Sequence, residues 1–236
     1  MSGRNNMIIF EDESYIICHK RAGIPTQTAD LRSMDLMHEL TACLARRKPG
    51  DRNPYLGLIN RLDQPVEGLV LVAKNEKAAA ILNGQLRDHS MHKHYLAVVE
   101  MRQELETHCE YSLLTDYIIH DKKSNLAVAA DEHDANARCA KLYWRFLGCK
   151  DSLALLEIEL LTGRHHQIRF QLSHAGYPLL GDTKYGTQAS RALSSRYGCT
   201  SVALCAYRLC FRHPVSGKAV EYRVEPRNPL FHILND

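Results

Sequence analysis

The chain has 236 residues, of which 45% are hydrophobic and 24% charged, and 30 Lys and Arg stand against 27 Asp and Glu for a formal net charge of +3. These are the proportions of a globular protein, and they exclude collagen-like, coiled-coil and disordered chains. A charge this near balance does not by itself point to nucleic acid, so the placement of the cations carries more information than their number.

At about 150 residues per domain the length allows one large domain or two small ones. It can bury about 70% of its unfolded surface, enough to fold without disulfides or a structural metal. No segment approaches the ~20 apolar residues of a membrane span, and the N-terminal residues carry no signal-peptide pattern. The eight cysteines are scattered and form no CxxC pair. They read as free thiols in a reducing compartment, which predicts a cytoplasmic protein.

In chain order, Met7–Phe10 and Tyr15–Cys18 read as two short strands around an acidic turn. Leu36, Leu40, Cys43 and Leu44 recur at helical spacing, and Lys48-Pro49-Gly50 reads as the stop. The apolar run Leu69–Ala73 has strand length. Asn75 then caps a predicted helix striped by Ala78, Ala79, Leu82 and Leu86. Tyr95–Val99 is a strand, and residues 111–161 read as antiparallel β structure with turns at Asp121–Asn125 and Gly148–Asp151. Leu156, Ile158 and Leu160 alternate with Glu157 and Glu159, predicting one buried and one wet face. Thr162 can cap a helix carrying Ile168, Leu172 and Ala175, stopped by Gly176, and Val202–Phe211 and Val220–Val224 are late strands. Strands joined by hairpins outnumber helices. The expected class is α+β, with a mixed, mostly antiparallel sheet.

Three stretches concentrate chemistry. In Asn60-Arg61-Leu62-Asp63-Gln64-Pro65-Val66-Glu67-Gly68 an Asp sits in a loop before a buried strand, where reactive groups are often placed. On local sequence alone it reads first as a turn with an Asx cap and a surface ion pair. In Thr162-Gly163-Arg164-His165-His166-Gln167-Ile168-Arg169, helical geometry would set His165, His166 and Arg169 on one face. A solvated polar face with two surface histidines accounts for it as well. His89, His92 and His94 suggest a metal, but the segment crosses from helix to strand and scatters them, so no metal is expected. Arg and His recur around these stretches, as in a polyanion groove.

Together the motifs are specific. Arg61-Leu62-Asp63 with Gly68-Leu69, Leu71 and Ala73-Lys74 comes first, then Lys93 with Tyr95-Leu96-Ala97 and Val99, then Leu161-Thr162-Gly163-Arg164, His166-Gln167-Ile168-Arg169 and Pro178-Leu179-Leu180-Gly181-Asp182 with Tyr185-Gly186. In this order they strongly resemble the RluA-like family of RNA pseudouridine synthases, and Ile17–Pro25 resembles that family's early element. The resemblance covers roughly residues 7–225. It implies one catalytic domain over residues 1–236, built on a long, mixed, bent sheet flanked by helices with an RNA-binding cleft, and no separate N-terminal RNA-binding domain. It implies that Asp63 is the essential carboxylate, Tyr95 the aromatic stacking on the target base and Arg169 the cation paired with Asp63. Arg61 would take the place of the flipped nucleotide, with Asn60, Arg164, His166 and Gln167 on the RNA side. The chain departs from the family pattern at Asn60, at Val66-Glu67 and at His165, which bears on specificity.

The reaction so implied breaks the N-glycosidic bond of a uridine, turns the uracil and joins its C5 to the ribose. It needs no redox step or group donor, so no cofactor is expected. A carboxylate serves as nucleophile, or as base and stabiliser, at a cationic sugar. Flipping the base costs a few kcal/mol, which stacking offsets in part. The expected partner is structured ribosomal or transfer RNA, with no membrane, no obligate protein partner and a monomeric state. A catalytically silent RNA-binding protein is the alternative, and retention of Asp63, Tyr95 and Arg169 together argues against it.

Overall fold

Tyr15–Lys20 and Glu67–Ala73 are buried along their whole length, which is what a continuous apolar run becomes when both faces of a strand are covered. They are the second and fourth strands of a computed structural model that describes residues 7–28, 34–47, 54–101 and 110–235. The chain divides into two units, one formed by residues 1–92 and 206–225 and the other by 93–205 and 226–236.

The first unit contains β1 (Ile8–Glu11), β2 (Tyr15–Lys20), α1 (Leu36–Arg47), β3 (Gly57–Leu58), β4 (Glu67–Ala73) and α2 (Glu76–Arg87). It is completed by most of a later strand, Leu204–Arg212, and by the strand Ala219–Arg223. Strand β2 pairs antiparallel with β1 on one side and with β4 on the other, with Lys20 opposite Gly68. The strand Leu204–Arg212 follows β4 in the sheet. Gly68 has φ +129°, and a Cβ there would lie 2.4 Å from the Ala206 carbonyl oxygen, so only glycine lets these backbones approach. The core gathers Tyr15, Ile17, Leu69, Leu71, Leu82 and Phe211. The side chain of Asn75 accepts the Ala78 N–H and starts α2, as expected from its sequence. Asp35 accepts the His38 N–H at the start of α1. The stop read at Lys48–Gly50 lies outside the described residues.

The second unit contains β5 (His92–Glu100), β6 (Ser112–Asp121), β7 (Leu126–Ala129), β8 (Arg138–Lys150), β9 (Leu153–Leu160), α3 (Gln167–His174), α4 (Gln188–Arg196) and a closing 3-10 helix, Pro229–Asn235. The late strands Leu204–Arg212 and Ala219–Arg223 are β10 and β11, which pair with each other antiparallel. The order in this unit is β5-β9-β8-β6-β7, antiparallel at each step. The α+β class holds.

Three local expectations are corrected. The hairpin after β8 turns at Asp151-Ser152, with Asp151 at φ +51°, while Gly148, Cys149 and Lys150 remain in the strand beside a bulge. Glu157 is not on a wet face. It is buried, because Arg145 Nε (2.6 Å) and the Tyr111 hydroxyl (2.8 Å) both donate to its carboxylate, and a buried carboxylate stays charged only when so partnered. The third helix starts at Gln167 rather than after Thr162. Thr162 donates instead to the Gln167 side chain, and His166 stands at φ +51°, outside helical geometry.

Candidate active site

In the first unit the Asp63 loop is clasped by residues 20–26. Thr26 Oγ1 donates to the Leu62 carbonyl (2.8 Å) and accepts the Leu62 N–H (3.1 Å). The Gly23 N–H donates to the Gln64 carbonyl, and Gln64 Nε2 donates back to the Gly23 carbonyl. Both neighbours of Asp63 are therefore fixed through backbone atoms, and the Val66 N–H closes a turn on the Asp63 carbonyl. Between them Asp63 is half-buried and Arg61 exposed.

Asn60, expected on the RNA side, is buried at 8% exposure. Its Nδ2 donates to the Leu69 carbonyl and its Oδ1 accepts the Leu71 N–H, so its amide pairs with β4 much as a neighbouring backbone would. What it does here is hold the loop to the strand.

Lys20 had no assigned role in the sequence reading. It is 1% exposed, and Nζ donates to the carbonyls of Arg21, Ile24 and Gln64. Burial pulls its pKa down to about 8, against the opposing pull of the Asp63 and Glu67 carboxylates. The ammonium thus joins the β2 end to the residue after Asp63, within the field of Asp63 itself. Because its folded value lies below the ordinary one, the buried charge costs stability at neutral pH, and the cost fades as pH rises from about 8 towards the ordinary lysine value. Lys20→Met removes the donor from three carbonyls and should cost about 2 kcal/mol at pH 7, together with at least tenfold in turnover. In that alkaline window the wild type should gain stability on the variant. Chemical denaturation of both proteins across the window checks it, and a constant or shrinking gap would contradict the argument.

In the second unit Tyr95 lies on β5 opposite Ile158 and is 5% exposed. Arg169, in the first turn of α3, is 3% exposed. Its Nε (2.7 Å) and Nη2 (2.8 Å) donate to the two oxygens of Asp182, and its guanidinium lies 5.3 Å from the centre of the Tyr185 ring. Asp182 also accepts the N–H groups of Lys184 and Tyr185. Burial would raise the Asp182 pKa, but the Arg169 hydrogen bonds and charge, with those two N–H groups, outweigh it and hold the carboxyl below its ordinary value. Asp182 belongs to the last stretch of the motif, between Gly181 and Tyr185-Gly186, and the resemblance gave it no role.

Gln167 is also spent internally. Its Oε1 accepts from the Thr162 hydroxyl and the Arg164 N–H, and its Nε2 donates to the Lys141 carbonyl and to Gln171. His166 is buried, with Nδ1 2.9 Å from the Tyr185 hydroxyl. Arg164 is exposed, steadied by a bond from Nε to the Cys139 carbonyl. Of the five residues expected to meet RNA, Arg61 and Arg164 present side chains to solvent, while Asn60, His166 and Gln167 are inside. Among the described residues no group of three His, Cys, Asp or Glu is arranged to hold a metal ion, and no helix is long and apolar enough to cross a membrane.

The clasped Asp63 loop and the Arg169–Asp182 fork can be set beside known proteins. A sequence profile of the RNA pseudouridylate synthase family matches residues 14–174. Ribosomal large subunit pseudouridine synthase D of Zymomonas mobilis is 32% identical over 92% of this chain and 68% of its own length. The tRNA pseudouridine synthase C of Haemophilus ducreyi is 29% identical over 88% of this chain and 85% of its own. Among solved structures, human RNA pseudouridylate synthase domain containing 1 has a TM-score of 0.71 at 20% identity, covering 94% of this chain and 84% of that one, a likeness of fold. Profile, relatives and fold agree, and with more than half of its length matched the chain belongs to the RNA pseudouridylate synthase family.

Proposed function

We propose that this RNA pseudouridine synthase isomerises particular uridines in ribosomal or transfer RNA, with Asp63 as the essential carboxylate. The observation that carries the reading is the Asp63 loop, a half-buried carboxylate held on both flanks by backbone bonds inside the segment the family profile matches. In the reaction the N1–C1′ bond of the uridine breaks, the uracil turns, and a C5–C1′ bond forms. The proton lost from C5 is balanced by one gained at N1, so no donor or cofactor enters. Asp63 meets the cationic sugar as nucleophile or as base. Tyr95 stacks on the flipped base, and Arg169, held by Asp182, is the cation that the third motif brings to the reaction. Arg61 and Arg164 contact the RNA directly. Asn60, His166 and Gln167 position the two motif loops.

The two units act as one catalytic domain, working as a monomer in the cytoplasm without an obligate protein partner. Relatives named for ribosomal RNA and for transfer RNA both support an RNA substrate. Mapping pseudouridine in RNA from cells with and without the gene tests the reading. One or a few positions in ribosomal or transfer RNA should revert to uridine, and unchanged maps in both would sink it. RNA affinity should also fall steeply with salt, as phosphate contacts release counterions.

A further inference from the structure

The family motif is interrupted at His165, and that side chain is the middle of a column. The rings of His120 and His165 stack at 3.8 Å with planes 29° apart, and those of His165 and His166 at 3.8 Å and 27°. Consecutive residues do not ordinarily present stacked rings. These do because His166 occupies the left-handed region at φ +51°, which a non-glycine residue holds only when its surroundings over-determine it. The surroundings are visible. His166 Nδ1 bonds the Tyr185 hydroxyl, its ring stands edge-on to Tyr185, and that hydroxyl accepts the Ala127 N–H. The inner end of the column is thereby closed.

The outer end is open. His120, at the end of β6, is exposed, and its Nε2 lies 3.1 Å from Asn125 Oδ1 across the β6–β7 turn. A flat ring is therefore fixed in orientation, backed by two more rings, and turned to solvent. Cations surround it in the chain. Lys122 and Lys123 are exposed in the same turn, Arg164 is exposed beside His165, and Lys184 Nζ holds the Asn125 carbonyl. Asp121, the one acid of the turn, is occupied by the Lys123 N–H and the Ser124 hydroxyl. The nitrogen lone pairs of stacked, near-parallel rings lie in separate planes rather than converging on one point, so the column is ill-suited to hold a metal ion.

From this geometry we infer that His120, backed by His165 and His166, is a stacking platform for an unpaired nucleobase of the bound RNA. The occupant follows from the chemistry on offer. A backed aromatic face accepts any base, since every base has a π-face, and the neighbouring ammonium and guanidinium groups meet the flanking phosphates. The inference rests on the reading of this chain as an RNA-modifying enzyme, and extends it to a base-stacking subsite built from residues other than Asp63, Tyr95 and Arg169. It also gives the departure at His165 a purpose, because without that ring His120 would be unbacked.

The test uses the whole chain and a short uridine-rich oligoribonucleotide carrying one 2-aminopurine, walked through successive positions. Stacking quenches this base. At one position the wild type should quench it strongly. His120→Ala should lose the quench and bind about tenfold more weakly, and His120→Phe should restore both. Because the ring is exposed, the melting temperature of His120→Ala should stay close to wild type. Quenching and affinity unchanged in His120→Ala would overturn the inference, as would a His120→Phe variant as weak as His120→Ala, or a quench abolished by a chelator. If the wild type makes pseudouridine while those results appear, the platform alone fails. If it neither binds the oligonucleotide nor makes pseudouridine in any RNA, the reading beneath it fails too.

Discussion

Asp63→Asn should lower pseudouridine formation at least about a thousandfold, equivalent to about 4 kcal/mol of transition-state stabilisation, while the fold survives. The substitution keeps size and shape and removes only the charge. The loop is held from its flanks, because Leu62 and Gln64 are fastened through their backbone atoms to Thr26, Gly23 and Lys20. The loss should therefore fall on chemistry, with RNA affinity largely kept. Release of tritium from C5 of labelled uridine reads the rate, and circular dichroism reads the fold. A variant within tenfold of wild type would remove Asp63 from its assigned role.

Arg169→Ala should fail in a second way, through stability as well as rate. It strands Asp182, which is 2% exposed and takes both of its side-chain guanidinium bonds from Arg169. Leaving one partner of a buried pair alone costs about 3–5 kcal/mol, and for a chain of this size that is a fall in melting temperature of roughly 10 °C. Arg169→Lys should recover only part of this, since a single ammonium cannot reproduce a two-bond fork. The pH dependence has a definite sign. The folded Asp182 carboxyl lies below its ordinary value, so its contribution is complete above that value and is lost as pH falls through the lower one. Wild type and Arg169→Ala should thus converge in stability in strong acid and separate at neutral pH. A gap that is the same at both would show that the pair does not carry the difference.

The elements that were legible in the sequence are those whose causes are local. The α2 cap at Asn75, the buried run that became β4 and the α+β class all follow from a few neighbouring residues. Glu157 was misread because its partners, Arg145 and Tyr111, come from other parts of the chain, and alternation alone cannot show that a carboxylate has been matched by a guanidinium and a phenol. The start of α3 was misplaced for a similar reason: the Thr162–Gln167 bond and the left-handed His166 belong to a loop held by β8 and Tyr185. At the site, resemblance singled out Asp63, Tyr95 and Arg169 as individual residues. It did not show Lys20 or Asp182 as the groups that hold their neighbours, nor that Asn60 and Gln167 are consumed by backbone and side-chain bonds. Those are properties of distance, and spacing along a chain does not contain them.

The clasp on the Asp63 loop also bears on how the protein acquires activity. Lys20 is 44 residues from Gln64 and Thr26 is 36 from Leu62, so each bond closes a long loop. The entropy of closing such loops is recovered only when β2 and β4 have already paired, since that register brings Lys20 opposite Gly68. The loop has no local route to its working shape. Competence should appear during refolding together with the β2–β4 pairing rather than before it, and any change that loosens that pairing will reduce the active fraction even when it lies far from Asp63.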